Sequence, residues 1–271
     1  MKTILFPTDF SKRANRALKE TVNLAEKLSA KIIIYHVYHR PATEKISSEH
    51  SDRLLENLER DIDMNFRELL SETPGLTDLD YEFRKERGIL ADFIVDTSEK
   101  DAINLVCMAT KGAKTFGELW GTKTADIVKK LNVPVLVIPD NTRLDTIEKV
   151  GLICDYSEET NYHTLDFLLE IVEELKLETD VITLNRDEKT MTAQEKAYRE
   201  LVRKKLENVP ATFHFSFSDD VHQGVMTYCQ AHEIGLIAIL PKKYNFIVQL
   251  FRESLTEQMT FRSSIPLLVL K

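Results

Sequence analysis

The chain contains one sequence pattern twice, and this repeat limits its fold more than any other feature of its 271 residues. Residues 2–11 (KTILFPTDFS) and 149–157 (KVGLICDYS) are apolar runs that end in Asp, an aromatic residue and Ser. Residues 133–138 (VPVLVI) and 265–270 (IPLLVL) form a second matching pair. Repetition over a span of this length predicts two related domains in tandem.

The boundary between the two domains is predicted by composition. A polar stretch, residues 140–145, follows the VPVLVI segment directly and precedes the second apolar run. We therefore expect one domain at residues 1–142 and another at residues 147–271.

Within each domain, apolar segments of strand length alternate with amphipathic segments of helix length. The predicted strands are residues 2–7, 31–38, 79–85, 103–108 and 133–138 in the first domain and 148–154, 179–185, 211–217, 235–240 and 266–270 in the second. The predicted helices of the first domain are residues 11–29, 44–72, 88–100 and 121–131. Continuous apolar runs are typical of parallel strands covered on both faces. The pattern predicts an α/β fold: two flavodoxin-like (Rossmann-like) domains, each with a five-stranded parallel sheet in the order 3-2-1-4-5.

This strand order predicts where a ligand binds. Connections leave strands 1 and 4 in opposite directions, which opens a crevice at the carboxyl ends of these strands. Asp9 follows strand 1 and residues 109–112 follow strand 4, so we expect them to meet at this edge. Asp9 is either an acceptor for ligand hydroxyl groups or the residue that forms the turn into the first helix, and the sequence leaves both interpretations open.

A glycine-bearing loop connects strand 4 to the following helix. Gly112, Gly121 and Thr122 lie in this loop. Backbone N–H groups at the start of a helix are unpaired and attract anions, most often phosphate. The loop also carries basic residues that either offset phosphate charge or form ordinary solvated surface: Lys111, Lys114 and Lys123.

The opening strand with its Asp, together with this loop, resembles the universal stress protein family over nearly the whole chain. The resemblance implies ATP binding through the early Asp and a Gly-x-x-Gly-x9-Gly-[Ser/Thr] loop. It implies that Pro7, Thr8 and Asp9 contact the nucleoside and that Val37 lies against adenine. The loop residues implied to hold the phosphate groups are Ala109, Thr110, Lys111, Gly112, Gly121, Thr122 and Lys123.

The loop departs from the family pattern in two places. Ala109 replaces the first glycine, and eight residues rather than nine separate Gly112 from Gly121. Alanine in place of glycine costs about 1–2 kcal/mol where the backbone is left-handed, and a shorter loop brings fewer N–H groups together. We therefore expect weak ATP binding.

The second domain lacks a loop of this kind. Residues 240–251 (LPKKYNFIVQLF) place Pro and bulky aromatic residues after its fourth strand, and no glycine follows Gly235. We expect nucleotide binding in the first domain only.

Composition and motif content argue against several other functions. The 44 acidic and 36 basic residues give a net charge of −8, which argues against a broad nucleic-acid-binding face. The three cysteines are odd in number and far apart, which indicates free thiols in a reducing compartment. No segment has the roughly 20 apolar residues of a membrane span, and no cluster has metal-ligand spacing. We expect a cytoplasmic protein without a nucleic-acid or membrane partner.

The leading functional hypothesis is a non-enzymatic stress-signalling protein that responds to ATP. Occupancy of the first domain by an adenine nucleotide would change a surface read by a protein partner that the sequence does not identify. A ligand-free scaffold and a slow ATPase are the alternatives. The resemblance also implies that residues 133–138 and 265–270 pair within the chain as an intramolecular pseudo-dimer, and it leaves a further homodimer open.

Overall fold

The computed structural model describes residues 2–39, 48–110, 127–156, 163–184, 188–219, 221–240 and 265–271. The strands are β1 (Thr3–Pro7), β2 (Lys31–Tyr38), β3 (Tyr81–Arg87), β4 (Leu105–Thr110), β5 (Val135–Pro139), β6 (Lys149–Ile153), β7 (Glu178–Leu184), β8 (Ala211–Ser216), β9 (Leu236–Ile239) and β10 (Leu267–Val269). The helices are α1 (Lys12–Lys27), α2 (Ser48–Glu72), α3 (Leu90–Lys100), α4 (Thr164–Leu175), α5 (Ala193–Lys205) and α6 (Val221–Ala231). Residues 127–130 are also helical.

The described strands form one sheet in the order β3-β2-β1-β4-β5-β10-β9-β6-β7-β8. Each half therefore has the order 3-2-1-4-5 when its strands are counted within the half, which confirms the predicted α/β fold. All neighbouring strands are parallel except β5 and β10 at the centre, which are antiparallel. In this central pair Leu268 lies opposite Leu136, so the two halves form the expected intramolecular pseudo-dimer.

Helices cover both faces of the sheet. Strand residues alternate between the faces: Phe6 packs with Leu18 of α1 on one face, and Leu5 packs in the cluster of Ile94 of α3 on the other. Helices α1, α2, α4 and α5 cover the first face, while α3, α6 and the helical residues 127–130 cover the second. Because both faces are covered, the central strands are apolar along their length, and each fully buried aliphatic side chain contributes about 1.5–3 kcal/mol.

Three strand predictions were wrong by a short shift, because β3, β4 and β5 each begin two residues later than predicted. β3 begins at Tyr81 rather than at residue 79, because Gly75 adopts a left-handed backbone (φ 81°) and a 3₁₀ turn, Leu76–Asp78, occupies the chain before the strand. β4 begins at Leu105 rather than at residue 103, after a turn in which Ala102 has φ 48°. The predicted helical residues 44–47 and 121–126 lie outside the described residues.

Polar contacts also join the two halves. Lys2 at the start of β1 forms an ion pair with Glu170 of α4. Lys271 Nζ donates a hydrogen bond to the Val128 carbonyl at 2.8 Å. The boundary at residues 142–147 stays a prediction. No helix among the described residues is long and apolar enough to cross a membrane.

Candidate functional site

A crevice lies between β1 and β4 at their carboxyl ends. The β1–β4 ladder stops at the pair Leu5–Val106. On its other side β1 remains paired with β2 as far as Pro7, and β4 remains paired with β5 as far as Thr110. The next donor from β1 to β4 would be the N–H of residue 7, and Pro7 has none, so the ladder between the two central strands ends early and leaves a β4 carbonyl without its β1 partner. This is the topological switch point, where sheets of this type bind ligands.

A tight turn leads from β1 into α1 at the edge of the crevice. The Thr8 N–H donates to the Tyr35 carbonyl (2.8 Å), which extends the β1–β2 ladder. The Phe10 N–H donates to Thr8 Oγ1 (3.0 Å) and the Ser11 N–H donates to Asp9 Oδ1 (3.0 Å). Phe10 has a left-handed backbone (φ 59°), which is uncommon for an aromatic residue and is held here by these side-chain bonds.

The Asp9 carboxylate is the exposed charge of this turn. Asp9 Oδ1 accepts the Ser11 N–H. Asp9 therefore helps to form the turn, which is one of the two roles that the sequence left open for it. Partial burial raises the pKa of Asp9, but the hydrogen bonds from Ser11 and the nearby charge of Arg13 outweigh burial and lower the pKa below its usual value. The group is therefore anionic at neutral pH and has acceptor capacity for ligand hydroxyl groups.

Two aromatic side chains that the sequence did not assign to the site support the turn. His36 Nδ1 lies 2.8 Å from the Thr8 carbonyl oxygen; because a carbonyl only accepts, this nitrogen carries the proton. The Phe10 ring contacts the His36 ring at 4.6 Å and the Phe66 ring at 5.0 Å between centroids. Side chains alternate between the two faces of a strand, so His36 lies on the face opposite Val37. This alternation was the sequence signal that could have identified His36.

The structure brings several of the predicted site residues to this edge. Pro7 and Thr8 are buried at the end of β1, and Val37 is half-buried near the end of β2. Thr110 is buried at the end of β4. The remaining predicted residues lie outside the described residues: Lys111, Gly112, Gly121, Thr122 and Lys123.

The backbone conformation of Ala109 removes the energetic cost expected for alanine in place of glycine at this position. Ala109 lies within β4, opposite Ile138, and has no positive φ. Its methyl group therefore brings no left-handed strain, because extended backbone suits any residue. Of the two departures from the family pattern, only the shorter loop therefore bears on phosphate binding.

In the second half the matching strands stay paired to the last residue of β6. The β6–β9 ladder continues to the pair Ile153–Ile239, where Ile153 is the last residue of β6. Tyr156 repeats the left-handed backbone of Phe10 (φ 54°), but it is fully buried, whereas Phe10 is half-buried. Burial raises the pKa of the Tyr156 hydroxyl. Residues 241–264, which follow β9, lie outside the described residues.

Other chemistry has little support in the described part of the chain. It holds no group of three or more His, Cys, Asp or Glu side chains arranged to bind a metal ion. All three cysteines are buried free thiols, and burial raises the pKa of Cys107 to about 12. A thiol in such a site is a poor nucleophile.

Comparisons with known proteins match both the sequence of the first half and the fold of the whole chain. The sequence profile described as the universal stress protein family matches residues 1–139. A universal stress protein of Methanocaldococcus jannaschii is 27% identical over 157 residues, which cover 51% of this chain and 94% of that protein. A solved universal stress protein from Archaeoglobus fulgidus has a TM-score of 0.72 at 17% identity and covers 99% of this chain and 98% of its own.

The same full-length arrangement occurs in a protein of unknown function from Pseudomonas aeruginosa. It has a TM-score of 0.61 at 15% identity, with 100% of this chain and 92% of that chain covered. At these identities the two structures establish a shared fold for both halves of the chain.

Proposed function

The chain belongs to the universal stress protein family, and from this premise we propose that its first half binds an adenine nucleotide, ATP, as part of a stress response. The nucleotide binds in the crevice between β1 and β4 and is held without turnover. The second half binds none and acts as the structural partner of the first.

The observation that carries this proposal is the difference between the two crevices. The β1–β4 ladder stops at Leu5, two residues before β1 ends at Pro7, whereas the β6–β9 ladder reaches the last residue of β6, Ile153. Pro7 has no N–H to donate, whereas its counterpart Ile153 has one, so backbone groups are left unpaired between the strands at the first switch point and are paired at the second. A ligand at a switch point needs unpaired backbone groups between the two strands, and among the described residues the first half supplies them.

Each part of the nucleotide has a partner of suitable chemistry at this edge. Asp9 supplies an anionic acceptor for ribose hydroxyl groups, and Val37 supplies apolar surface for the base. The loop that begins after Thr110 supplies N–H groups for the phosphates. Because this loop is one residue shorter than the family pattern, we expect a dissociation constant in the micromolar range or weaker.

Binding without hydrolysis fits the residues at the described part of the crevice. Hydrolysis needs a group that orients a water molecule in line with the γ-phosphate. Pro7 and Ala109 carry no such group, Thr8 Oγ1 already accepts the Phe10 N–H, and the proposal places the Asp9 carboxylate at the ribose, away from the γ-phosphate. Occupancy then acts by changing the surface around the crevice that a protein partner reads. A ligand-free scaffold is the second candidate, because the shortened loop is the feature expected of a site that has lost its ligand.

Nucleotide carried through purification tests the proposal directly. The protein is denatured immediately after purification and the released small molecules are identified by mass spectrometry; because binding in the micromolar range or weaker loses nucleotide during purification, ATP, ADP or AMP at less than one per chain is expected. Thermal unfolding with ATP in the millimolar range should show a raised midpoint, since ligand at 100 times its dissociation constant stabilises by about 2.7 kcal/mol. GTP at the same concentration serves as the control.

A repaired loop separates the two candidates. The repaired variant carries Ala109→Gly and one residue inserted after Gly112. If the wild-type chain neither carries nor responds to ATP while the repaired variant responds, the chain is a scaffold with a lost site. Accumulation of ADP in proportion to protein during long incubation would instead identify a slow ATPase.

A further inference from the structure

We propose that Arg13 of α1 supplies the cation that binds the phosphate groups of the nucleotide, an inference that rests on the proposed function. A half-buried guanidinium with no described partner lies on the helix that covers β4, level with the end of that strand. An arginine matches phosphate oxygens with two parallel hydrogen bonds and stays charged at all relevant pH values.

The position of Arg13 follows from the packing of α1 on β4. Thr21 of α1 hydrogen-bonds the Cys107 thiol in the middle of β4, and α1 runs opposite to the strand. From Thr21 back to Arg13 the helix rises about 12 Å at 1.5 Å per residue. From Cys107 to Thr110 the strand advances about 10 Å at 3.3 Å per residue. Arg13 therefore lies level with the point just past Thr110, where the glycine-bearing loop begins.

Among the described residues, the Arg13 side chain has no partner, unlike Arg16 one turn later. Its Nε is buried and has no hydrogen-bond partner, and the residue forms no ion pair or hydrogen bond with the rest of the described chain. Arg16, by contrast, pairs with Asp140 (Nη1 to Oδ1, 2.8 Å) and lies 3.5 Å from Asn141 Oδ1. A buried guanidinium nitrogen without a partner is costly unless something outside the protein completes it.

The charge of Arg13 also reaches the proposed ligand site. It is near enough to the Asp9 carboxylate to lower the pKa of that group, although burial, which raises this pKa, and the hydrogen bonds from Ser11, which lower it, have larger effects. Asp9 at the ribose end and Arg13, level with the end of β4, would thus flank the same crevice. The separation suits a nucleotide, whose anionic part extends away from its ribose.

The location of Arg13 is unfavourable for the helix itself. Ser11 caps α1, so Arg13 lies in the first turn, which contains no acidic residue. A cation there opposes the helix dipole, so the residue weakens the unbound fold rather than supporting it. An anionic ligand would reverse this effect. A guanidinium would also supply hydrogen-bond donors in place of the backbone N–H groups that the shortened loop lacks.

Affinities for ATP and adenosine in three proteins test the inference: the wild-type full chain, Arg13→Gln, and the matched control Arg16→Gln. Loss of a charge-assisted phosphate contact should weaken ATP binding by Arg13→Gln about 10- to 100-fold, with adenosine affinity changed less than about twofold. Arg16→Gln should bind both as the wild type does. The salt dependence of ATP binding should also become shallower in Arg13→Gln only. Without nucleotide, Arg13→Gln should melt no lower than the wild type.

The outcomes are distinct for the inference and for the proposed function. Unchanged ATP affinity in Arg13→Gln overturns the inference and leaves ATP binding intact. Equal losses for ATP and adenosine also overturn it, because Arg13 would then act only through Asp9. If adenosine binds too weakly to measure, a salt dependence of ATP binding in Arg13→Gln equal to that of the wild type overturns the inference. A wild-type chain that binds no ATP overturns both.

Discussion

Replacement of Asp9 separates its part in the turn from its part in ligand binding. Asp9 Oδ1 accepts the Ser11 N–H at 3.0 Å, and an Asn side chain offers the same carbonyl-type acceptor, so Asp9→Asn should keep the turn. Asp9→Ala loses that bond, and because the site is exposed we expect a loss of about 0.5–1 kcal/mol in the free energy of unfolding. Hydrogen bonds from ribose to a charged carboxylate contribute about 1.5–3 kcal/mol. Both variants should therefore weaken ATP binding by about 10-fold or more.

Titration calorimetry with ATP measures the affinity, and urea denaturation without nucleotide measures the stability. Asp155 occupies the matching position in the second half, so Asp155→Asn and Asp155→Ala are the controls, and both should leave ATP affinity unchanged. Full ATP affinity in Asp9→Asn would show that Asp9 is a turn residue only. Equal losses of affinity from the Asp9 and Asp155 variants would refute the assignment of the site to the first half.

The remaining predictions concern the fold. Leu268, 1% exposed in β10, should cost about 2–5 kcal/mol of unfolding free energy in urea when replaced by Ala; a loss below 1 kcal/mol would contradict a tightly packed centre. Arg84 lowers the pKa of Glu82 from 4.5 to about 2 through a hydrogen bond, so this pair stabilises the fold above pH 4.5 and the stability is lost as the pH falls toward 2. Because the Glu82 side chain is 36% exposed, Glu82→Gln should remove only about 1 kcal/mol of acid-sensitive stability, and an unaltered acid unfolding curve would contradict this. Burial raises the pKa of Cys107 and Cys229 to about 12, so iodoacetamide at pH 8 should label neither thiol until urea unfolds the chain; rapid labelling of the native protein would be the contrary result.

The strand order and the pairing of the halves were predictable because they depend on which segments are strands and not on the exact residue at which each strand begins. The apolar runs around Ile33 and Val106 are continuous, and the repeat gave each strand a counterpart in the other half. The starts of β3 and β4 were not predictable to the residue. They depend on left-handed turns at Gly75 and Ala102, and Ala gives no sequence signal for such a backbone.

The candidate site was only partly predictable, for a different reason. Asp9 and Ala109 could be assigned to one edge from topology alone. The early end of the β1–β4 ladder at Leu5 follows from Pro7, which has no N–H to donate. The sequence shows this proline, but the register of the sheet decides that its position faces β4. Likewise Arg13 resembles any surface arginine in the first turn of a helix. Its unpaired Nε emerges only from the three-dimensional environment.

The number of nucleotides bound per chain tests the central claim most directly. Wild-type protein freed of nucleotide is titrated with ATP by calorimetry, and the fitted stoichiometry is compared with the concentration of folded chain. Unpaired backbone at the first switch point and paired backbone at the second predict a stoichiometry near one, with a dissociation constant in the micromolar range or weaker. Two equivalent sites, or no heat and no binding at millimolar ATP, would contradict the account.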